Sequence, residues 1–427
     1  MRKVTFRASC TIILAFAVLL GLLIYVVRYF NHGEDWALYF DASTSGCTYT
    51  LTDRNGVSLA TMEHGGRYYC QDEAARISCF QLVGDYAGNV GTGALQKFER
   101  QLSGYNPITG IQEQADVNLQ LTVDSELNKL AYSALNGKNG AVLLSNYKTG
   151  EILCMVSAPS IDPLNPPANL PDGVYLNRCI SSIFTPGSIF KLVTMAAAIE
   201  TIPDLYQRSF TCNGSINVKG VDINCTGNHG SQTIEQALAN SCNCAFGELA
   251  LELGADVLAE YAQKLGLTSS AKLDGITTAA GSFEKDTAGS PGLAWSGIGQ
   301  FNDLVCPYSM LRLISAIAND GTVIEPSLLG VSDDKTALLK QSTAEKLSSM
   351  MNYNVVYHYG NAFPGLNVSA KTGTAEVGNG KENHAWMVGF LNDPAHPYAF
   401  VVLVEHGGSG LGTAGVVANT LLQAAVK

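Results

Sequence analysis

A serine three residues before a lysine occurs five times in this chain, at Ser145, Ser188, Ser269, Ser282 and Ser332. Such a pair can do one kind of chemistry. On a helix, residues three apart share a face, with β-carbons about 5–6 Å apart. A lysine held there and partly buried has a depressed pKa. As a free amine it can take the hydroxyl proton and leave a nucleophilic oxygen. The start of a helix adds unpaired backbone N–H groups that can receive a developing oxyanion. Four of the five contexts do not suit. Ser145 and Lys148 straddle a strand end and a turn, and Ser269, Ser282 and Ser332 lie in polar, loop-like stretches. Only Ser188, in FTPGSIFKLV, precedes an apolar stripe at helical spacing: Ile189, Leu192, Val193, Ala196, Ala197 and Ile199. Pro186 stands where a first helical turn tolerates proline. For that stretch alone, the alternative is a plain helix start with an exposed lysine at Lys191.

Two further patterns add partners. ANSCNCAF contains Ser241-x-Asn243 between two expected helices, where a hydroxyl and an amide can point into a cleft. A rival Ser-x-Asn at Ser215 and Asn217 lies in a hairpin-like loop. AKTGTAE contains Lys371, Thr372, Gly373 and Thr374 on an expected strand, while the rival Lys148-Thr149-Gly150 reads as a turn. Gly373 lets a substrate backbone come close. The Thr374 N–H can donate to an oxyanion, and Lys371 with the threonine hydroxyls can hold a carboxylate. Each triplet alone is weak; the three in this order are specific.

The elements that must position these groups follow from periodicity. Val117, Leu119, Leu121 and Val123 alternate as a strand, and Asp124 can cap a helix carrying Leu127, Leu130, Ala131, Ala134 and Leu135. GAVLLSNYKTGEILCMVSAPS reads as a hairpin, followed by an irregular Pro- and Asn-rich connection to Pro171. The middle is helical, with a capping box at Thr233 and Gln236 and helices near 245–253, 256–265 and 307–319. NVSAKTGTAEV, HAWMVGFL and YAFVVLVEH return to strands, and a helix over 415–426 closes the chain. Strands at both ends around a helical middle predict an α+β fold: one antiparallel sheet flanked by helices, with an inserted all-helical cluster. Upstream, LTDRNGVSLAT reads as two short strands around an Asn-Gly turn, and 89–110 as a loop, a short helix and a second loop.

Composition excludes some functions. Of 427 residues 46% are apolar and 15% charged, which suits a large buried core. A net charge of −11 leaves nothing to neutralise phosphates, so no nucleic-acid partner is expected. The seven histidines show no metal-ligand spacing, and no metal or cofactor is expected. Ala8–Val27 is an uncharged, mostly apolar run long enough to span a membrane, preceded by Arg2, Lys3 and Arg7. The positive-inside rule places residues 1–7 in the cytoplasm and everything after Arg28 outside. A cleaved signal peptide is the rival, but no clear small-x-small site lies just after the run. Eleven cysteines form no dense framework. Cys212 with Cys225, and Cys70 with Cys79, could staple small loops; otherwise the thiols are free, buried and apolar in role.

From about residue 116 the chain resembles the transpeptidase domain of class B penicillin-binding proteins. The likeness lies in the three motifs and in NRCISSIFTPGSIFKLVTMAAAIE, HGSQTIEQALANSCNCAFGELALELG, AWSGIGQ, PYSMLRLISAIANDG and HAWMVGFL. It implies a single-pass bacterial membrane protein with its catalytic domain (116–427) outside the cell and a reduced accessory region (33–115) before it. It also implies a D,D-transpeptidase that crosslinks peptidoglycan stem peptides ending in D-Ala-D-Ala, is acylated by β-lactams and works beside a membrane glycosyltransferase. Ser188 is then the nucleophile and Lys191 its base. Ser241 relays a proton, and Asn243 orients Lys191 and the substrate amide. Thr374 with Ser188 supplies the oxyanion hole, and Lys371, Thr372 and Thr374 hold the carboxylate beside Gly373. A D,D-carboxypeptidase, a β-lactamase-like hydrolase and a non-catalytic sensor or scaffold are the alternatives. One departure stands out: Cys306 replaces the threonine usual before Pro307.

Overall fold

The computed structural model describes residues 2–41, 48–63, 65–103, 108, 116–378 and 380–427. Much of the second loop expected over 89–110 lies outside them. Helix α1 (Arg2–Asp41) contains Lys3–Gly33, a span long and apolar enough to cross a membrane, with an 18-residue stretch of mean hydropathy 2.9 and none of that stretch buried in the protein. Strands β1 (Thr48–Thr52) and β2 (Ser58–Glu63) form the expected antiparallel hairpin, with Gly56 at φ 81° in its turn. Two more strands, β3 (Gly66–Tyr69) and β4 (Asp116–Gln120), complete a sheet in the order β3-β2-β1-β4. β4 runs parallel to β1, so the strand expected to open the catalytic domain is an edge of this accessory sheet. Alternation gave the strand; it carries no information on which edge receives it.

Beyond β4 the chain enters the second layer. Asp124 accepts from the Glu126 and Leu127 N–H groups and caps α2 (Ser125–Ala134). Leu130 is exposed on this helix, and Asn128 turns inward instead, donating to Met155 O and accepting from Met155 N. β5 (Gly140–Asn146) and β6 (Ile152–Ala158) pair as the expected hairpin. A 3-10 turn (Gly187–Phe190) leads into α3 (Lys191–Thr201). Four short strands follow: β7 (Phe210–Cys212), β8 (Ser215–Val218), β9 (Val221–Asn224) and β10 (Gly230–Gln232). Helix α4 (Ile234–Ala239) starts at the Thr233–Gln236 capping box. Helix α5 (Asn243–Lys264) is broken at Gly254, whose φ of 80° divides it where two helices were expected. Helices α6 (Pro307–Ala318) and α7 (Gln341–His358) precede β11 (Val368–Ala375), β12 (His384–Leu391) and β13 (Tyr398–Val404). A π turn over Gly410–Ala414 enters the last helix, α8 (Gly415–Ala425).

The central sheet is antiparallel throughout, in the order β11-β12-β13-β5-β6. Its strands are buried on both faces, and the period of two divides them between two cores. Phe400 and Val402 pack with Ala131, Leu135, Val417 and Leu421 of α2 and α8. Val401 and Leu403 pack on the other face with the inserted helices, through residues such as Leu192, Val193 and Ile314. Fully burying one such aliphatic side chain stabilises the fold by about 1.5–3 kcal/mol. β11 is an edge strand, so one of its sides is left open beside the helical cluster.

Candidate active site

Ser188 lies on the 3-10 turn rather than on regular α-helix. Side chains three apart eclipse in a 3-10 helix, which aims Ser188 and Lys191 at each other more directly than α geometry would. Lys191 Nζ sits 3.0 Å from Ser188 Oγ. It also donates to Ser241 O (2.6 Å) and Asn243 Oδ1 (2.7 Å), and lies 3.2 Å from Ser241 Oγ. In the other four Ser-x-x-Lys pairs the side chains have other partners. Lys148 donates to Asn319, Lys272 to Thr277 and Lys285 to Asp256, and Ser332 Oγ accepts from the Asp334 N–H.

Ser241 occupies the expected break between α4 and α5, at φ 51°. That left-handed residue reverses the chain, so that its carbonyl and hydroxyl and the side chain of Asn243 all reach Lys191. Asn243 is fixed from behind: its Nδ2 donates to Asn224 O (2.8 Å) and its backbone N–H to Cys225 Sγ (3.2 Å). The rival Ser215 and Asn217 sit in the β8–β9 hairpin, where Asn217 donates to Asp222.

Lys371 reaches the same place from β11. Its Nζ donates to Ser241 Oγ (3.0 Å) and Thr372 O (2.9 Å). Ser188, Lys191, Ser241 and Lys371 therefore form one continuous polar chain. Thr372 is half-buried, with its hydroxyl 3.4 Å from Tyr359 Oη and its N–H donating to the same oxygen (3.0 Å). That N–H points away from β12, to the open edge. Thr374, two residues on, presents its own N–H to the same edge. The exposed Thr374 also accepts at its carbonyl from Gln300 Nε2 (3.4 Å).

Close backbone approach brings the 3-10 turn against β11. A Cβ on Gly373 would lie 2.9 Å from Pro186 O and 3.0 Å from the Ile189 side chain. A Cβ on Gly187, at φ 56°, would lie 2.5 Å from Thr374 O. Gly299 must also be bare, because its Cβ would strike Gly187 O, and its own carbonyl accepts from the Gly187 N–H at 2.8 Å.

Both lysines are fully buried. Burial without a counter-ion disfavours the ammonium form and lowers the Lys191 pKa to about 7, while the neighbouring cysteine thiols oppose the shift. Burial also holds Lys371 well below its ordinary value, and the adjacent Lys191 adds to the effect. Lys191 as an ammonium has three donors for Ser241 O, Asn243 Oδ1 and a hydroxyl; as an amine it has a lone pair for the Ser188 proton.

The structure thus unites Ser188, Lys191, Ser241, Asn243 and Lys371, with Thr372, Gly373 and Thr374 along the flanking edge. Sequence reading missed Tyr359, Asn224 and Gln300. AWSGIGQ, which contains Gln300, had already been singled out in the resemblance; Tyr359 and Asn224 carry no local signal. Among the described residues every cysteine is free, as the sequence favoured, and neither possible staple is formed. Cys306 is buried at the start of α6, its thiol 3.5 Å from Cys179 O, which fits a packing role.

Residues 140–424 match the family model of the penicillin binding protein transpeptidase domain. The chain is 30% identical to the peptidoglycan D,D-transpeptidase PbpA of Mycolicibacterium smegmatis over 70% of its own length and 69% of that protein's. Among solved structures it resembles the D,D-transpeptidase domain of a peptidoglycan glycosyltransferase from Eggerthella lenta. The TM-score is 0.77 at 27% identity, over 89% of this chain and 98% of that one. It also resembles penicillin-binding protein A from M. tuberculosis in its imipenem acyl-enzyme complex, with a TM-score of 0.74 at 25% identity over 90% and 99% of the two chains. With a serine and a buried lysine in contact, and with two thirds of its length matched, the chain belongs to the penicillin-binding protein transpeptidase family.

Proposed function

We propose that this protein is a serine D,D-transpeptidase that joins peptidoglycan stem peptides through an acyl-enzyme on Ser188. The single observation that carries this reading is the 3.0 Å contact between Ser188 Oγ and a buried Lys191 amine. Lys191 takes the hydroxyl proton as Ser188 Oγ attacks the carbonyl between two terminal D-alanines. The oxyanion receives the Ser188 and Thr374 N–H groups. As the C–N bond breaks, the proton passes from Lys191 through Ser241 Oγ to the departing D-alanine amine, and Lys371 supports Ser241 from the far side. The ester then passes to an amine of a second stem peptide: a new amide forms, and a proton given up by that amine passes back along the same chain to Ser188 Oγ. Asn243 holds Lys191 and the substrate amide. Lys371, Thr372 and Thr374 line the edge where the substrate carboxylate lies, and Gly373 leaves room for the substrate backbone. A β-lactam carries a comparable carbonyl and carboxylate and acylates the same serine. No step draws on a metal or cofactor.

In this reading α1 is a single membrane anchor, residues 1–7 are cytoplasmic and 8–27 cross the bilayer. Residues 33–115 are a reduced accessory region, 116–427 the catalytic domain outside the cell, and a membrane glycosyltransferase supplies the glycan strands. The support is the apolar helix with Lys3 and Arg7 at its start. The test is labelling of the purified protein with a fluorescent penicillin. Wild type is expected to form a lasting adduct and Ser188→Ala none. Full labelling of Ser188→Ala would remove Ser188 as nucleophile, and rapid turnover of the penicillin would mark a hydrolase instead.

A further inference from the structure

Behind the Ser-x-Asn loop lie groups that the acyl transfer does not use. Cys212 ends β7, Cys225 follows β9, His229 precedes β10, and Cys242 stands between Ser241 and Asn243. Their three sulfurs and one ring nitrogen all lie within 4.8 Å of one another. Cys225 Sγ is 3.9 Å from Cys242 Sγ and 3.5 Å from His229 Nδ1. A disulfide would need about 2.05 Å between sulfurs. A tetrahedral zinc, with bonds of about 2.3 Å to sulfur and 2.0–2.1 Å to nitrogen, places two sulfurs about 3.8 Å apart. The same geometry places sulfur and nitrogen about 3.6 Å apart. The two separations are thus close to the edges of that tetrahedron.

We propose that Cys212, Cys225, His229 and Cys242 form a structural zinc site. Three thiolates and one imidazole are a soft, four-ligand set that suits zinc over magnesium or calcium. The ligands come from the end of β7, the residue after β9, the loop before β10 and the break between α4 and α5, so the metal would tie four separate places in the chain together. The Asn243 N–H, donating to Cys225 Sγ, is the outer hydrogen bond that metal-bound thiolates usually receive. Cys242 is flanked by the two residues whose oxygens hold Lys191, so the metal pins that segment from behind. Its role is to position the loop; it does not touch the reacting atoms. A second thiol, Cys244, lies 3.5 Å from Cys212 Sγ and stands outside the four-ligand set.

The test is metal content of the full-length protein, purified in detergent with its thiols kept reduced, loaded with zinc and dialysed. About one zinc per chain is expected, falling below about a tenth in Cys225→Ser and in His229→Ala. Cobalt loading of the wild-type protein needs no variant, and is expected to give thiolate-to-cobalt charge-transfer absorption with the intensity of a tetrahedral site. Wild-type protein that takes up neither metal would overturn the proposal. So would a Cys225–Cys242 disulfide in protein taken from membranes with its thiols blocked. Full zinc content in His229→Ala would overturn the ligand set. None of these readouts involves acylation, so their failure leaves the transpeptidase reading standing, and loss of acylation leaves this one standing.

Discussion

The rate at which Ser188 acylates should follow the free-amine fraction of Lys191. With a pKa lowered to about 7 by burial, the fraction is about 1% at pH 5 and about half at pH 7. At the ordinary lysine value it would be below about 0.1% at pH 7. The second-order rate constant for a fluorescent penicillin should therefore rise about fifty-fold from pH 5 to pH 7 and level off above pH 8. Asn243→Ala tests the cause. Asn243 Oδ1 accepts from Lys191 Nζ at 2.7 Å, a bond strongest to the ammonium form. Losing a hydrogen bond to a charged group removes about 1.5–3 kcal/mol from that form, which moves the inflection toward acid by about one to two pH units. The maximal rate should fall at the same time, because the amine is no longer aimed at Ser188. Stopped-time gel fluorescence across pH 4.5–9 measures both. A flat wild-type profile, an inflection near the ordinary lysine value, or an upward shift in Asn243→Ala would refute the assignment of Lys191 as a desolvated base.

Gly187→Ala would put a methyl 2.5 Å from Thr374 O at a left-handed φ, costing about 1–2 kcal/mol of backbone strain. Penicillin labelling should fall steeply while the far-UV spectrum is kept. Tyr359→Phe removes the acceptor of the Thr372 N–H and should lower stability by about 1–3 kcal/mol, read as a urea midpoint. It should weaken acylation without moving its pH inflection. Arg312 and Glu325 form a two-pronged ion pair at 2.6 and 2.8 Å, both largely buried. Arg312→Ala strands a buried carboxylate and should cost about 3–5 kcal/mol, with the acylation rate of the folded fraction unchanged.

The juxtaposition of the candidate site residues was largely legible in the sequence, because each motif needed only its own element to be right. An apolar stripe placed Ser188 and Lys191, a helix break placed Ser241 and Asn243, and a strand without a turn signal placed Lys371 through Thr374. The antiparallel sheet was legible for the same reason: its strands are continuous apolar runs bounded by turns. Pairing was less so. β4 alternates as expected, but nothing in alternation says that β1, far away in the chain, is its neighbour. Tyr359 was invisible because it reaches Thr372 from the end of a helix by a purely tertiary contact. The cysteine cluster was not legible: Cys212 and Cys225 stood out only as a possible loop staple, and nothing in the sequence joined His229 and Cys242 to them. It takes the β8–β9 hairpin to fold Cys225 and His229 back onto Cys212 and Cys242.

The shared strand also has a mechanical side. β4 belongs to the accessory sheet, yet it runs straight into Thr122, whose hydroxyl donates to Ile152 O and Ser327 O, and into the capped start of α2. Asp53, in the β1–β2 turn, accepts from the Ser125 N–H and hydroxyl, and the Arg54 N–H donates to Val123 O. These contacts bridge the joint between the two sheets. A load on residues 48–69 is therefore delivered to β6 and α2, at the edge of the central sheet opposite β11. The small sheet is thus tied through hydrogen bonds to the edge of the central sheet farthest from β11, so a pull on it reaches the candidate cleft only across the full width of that sheet.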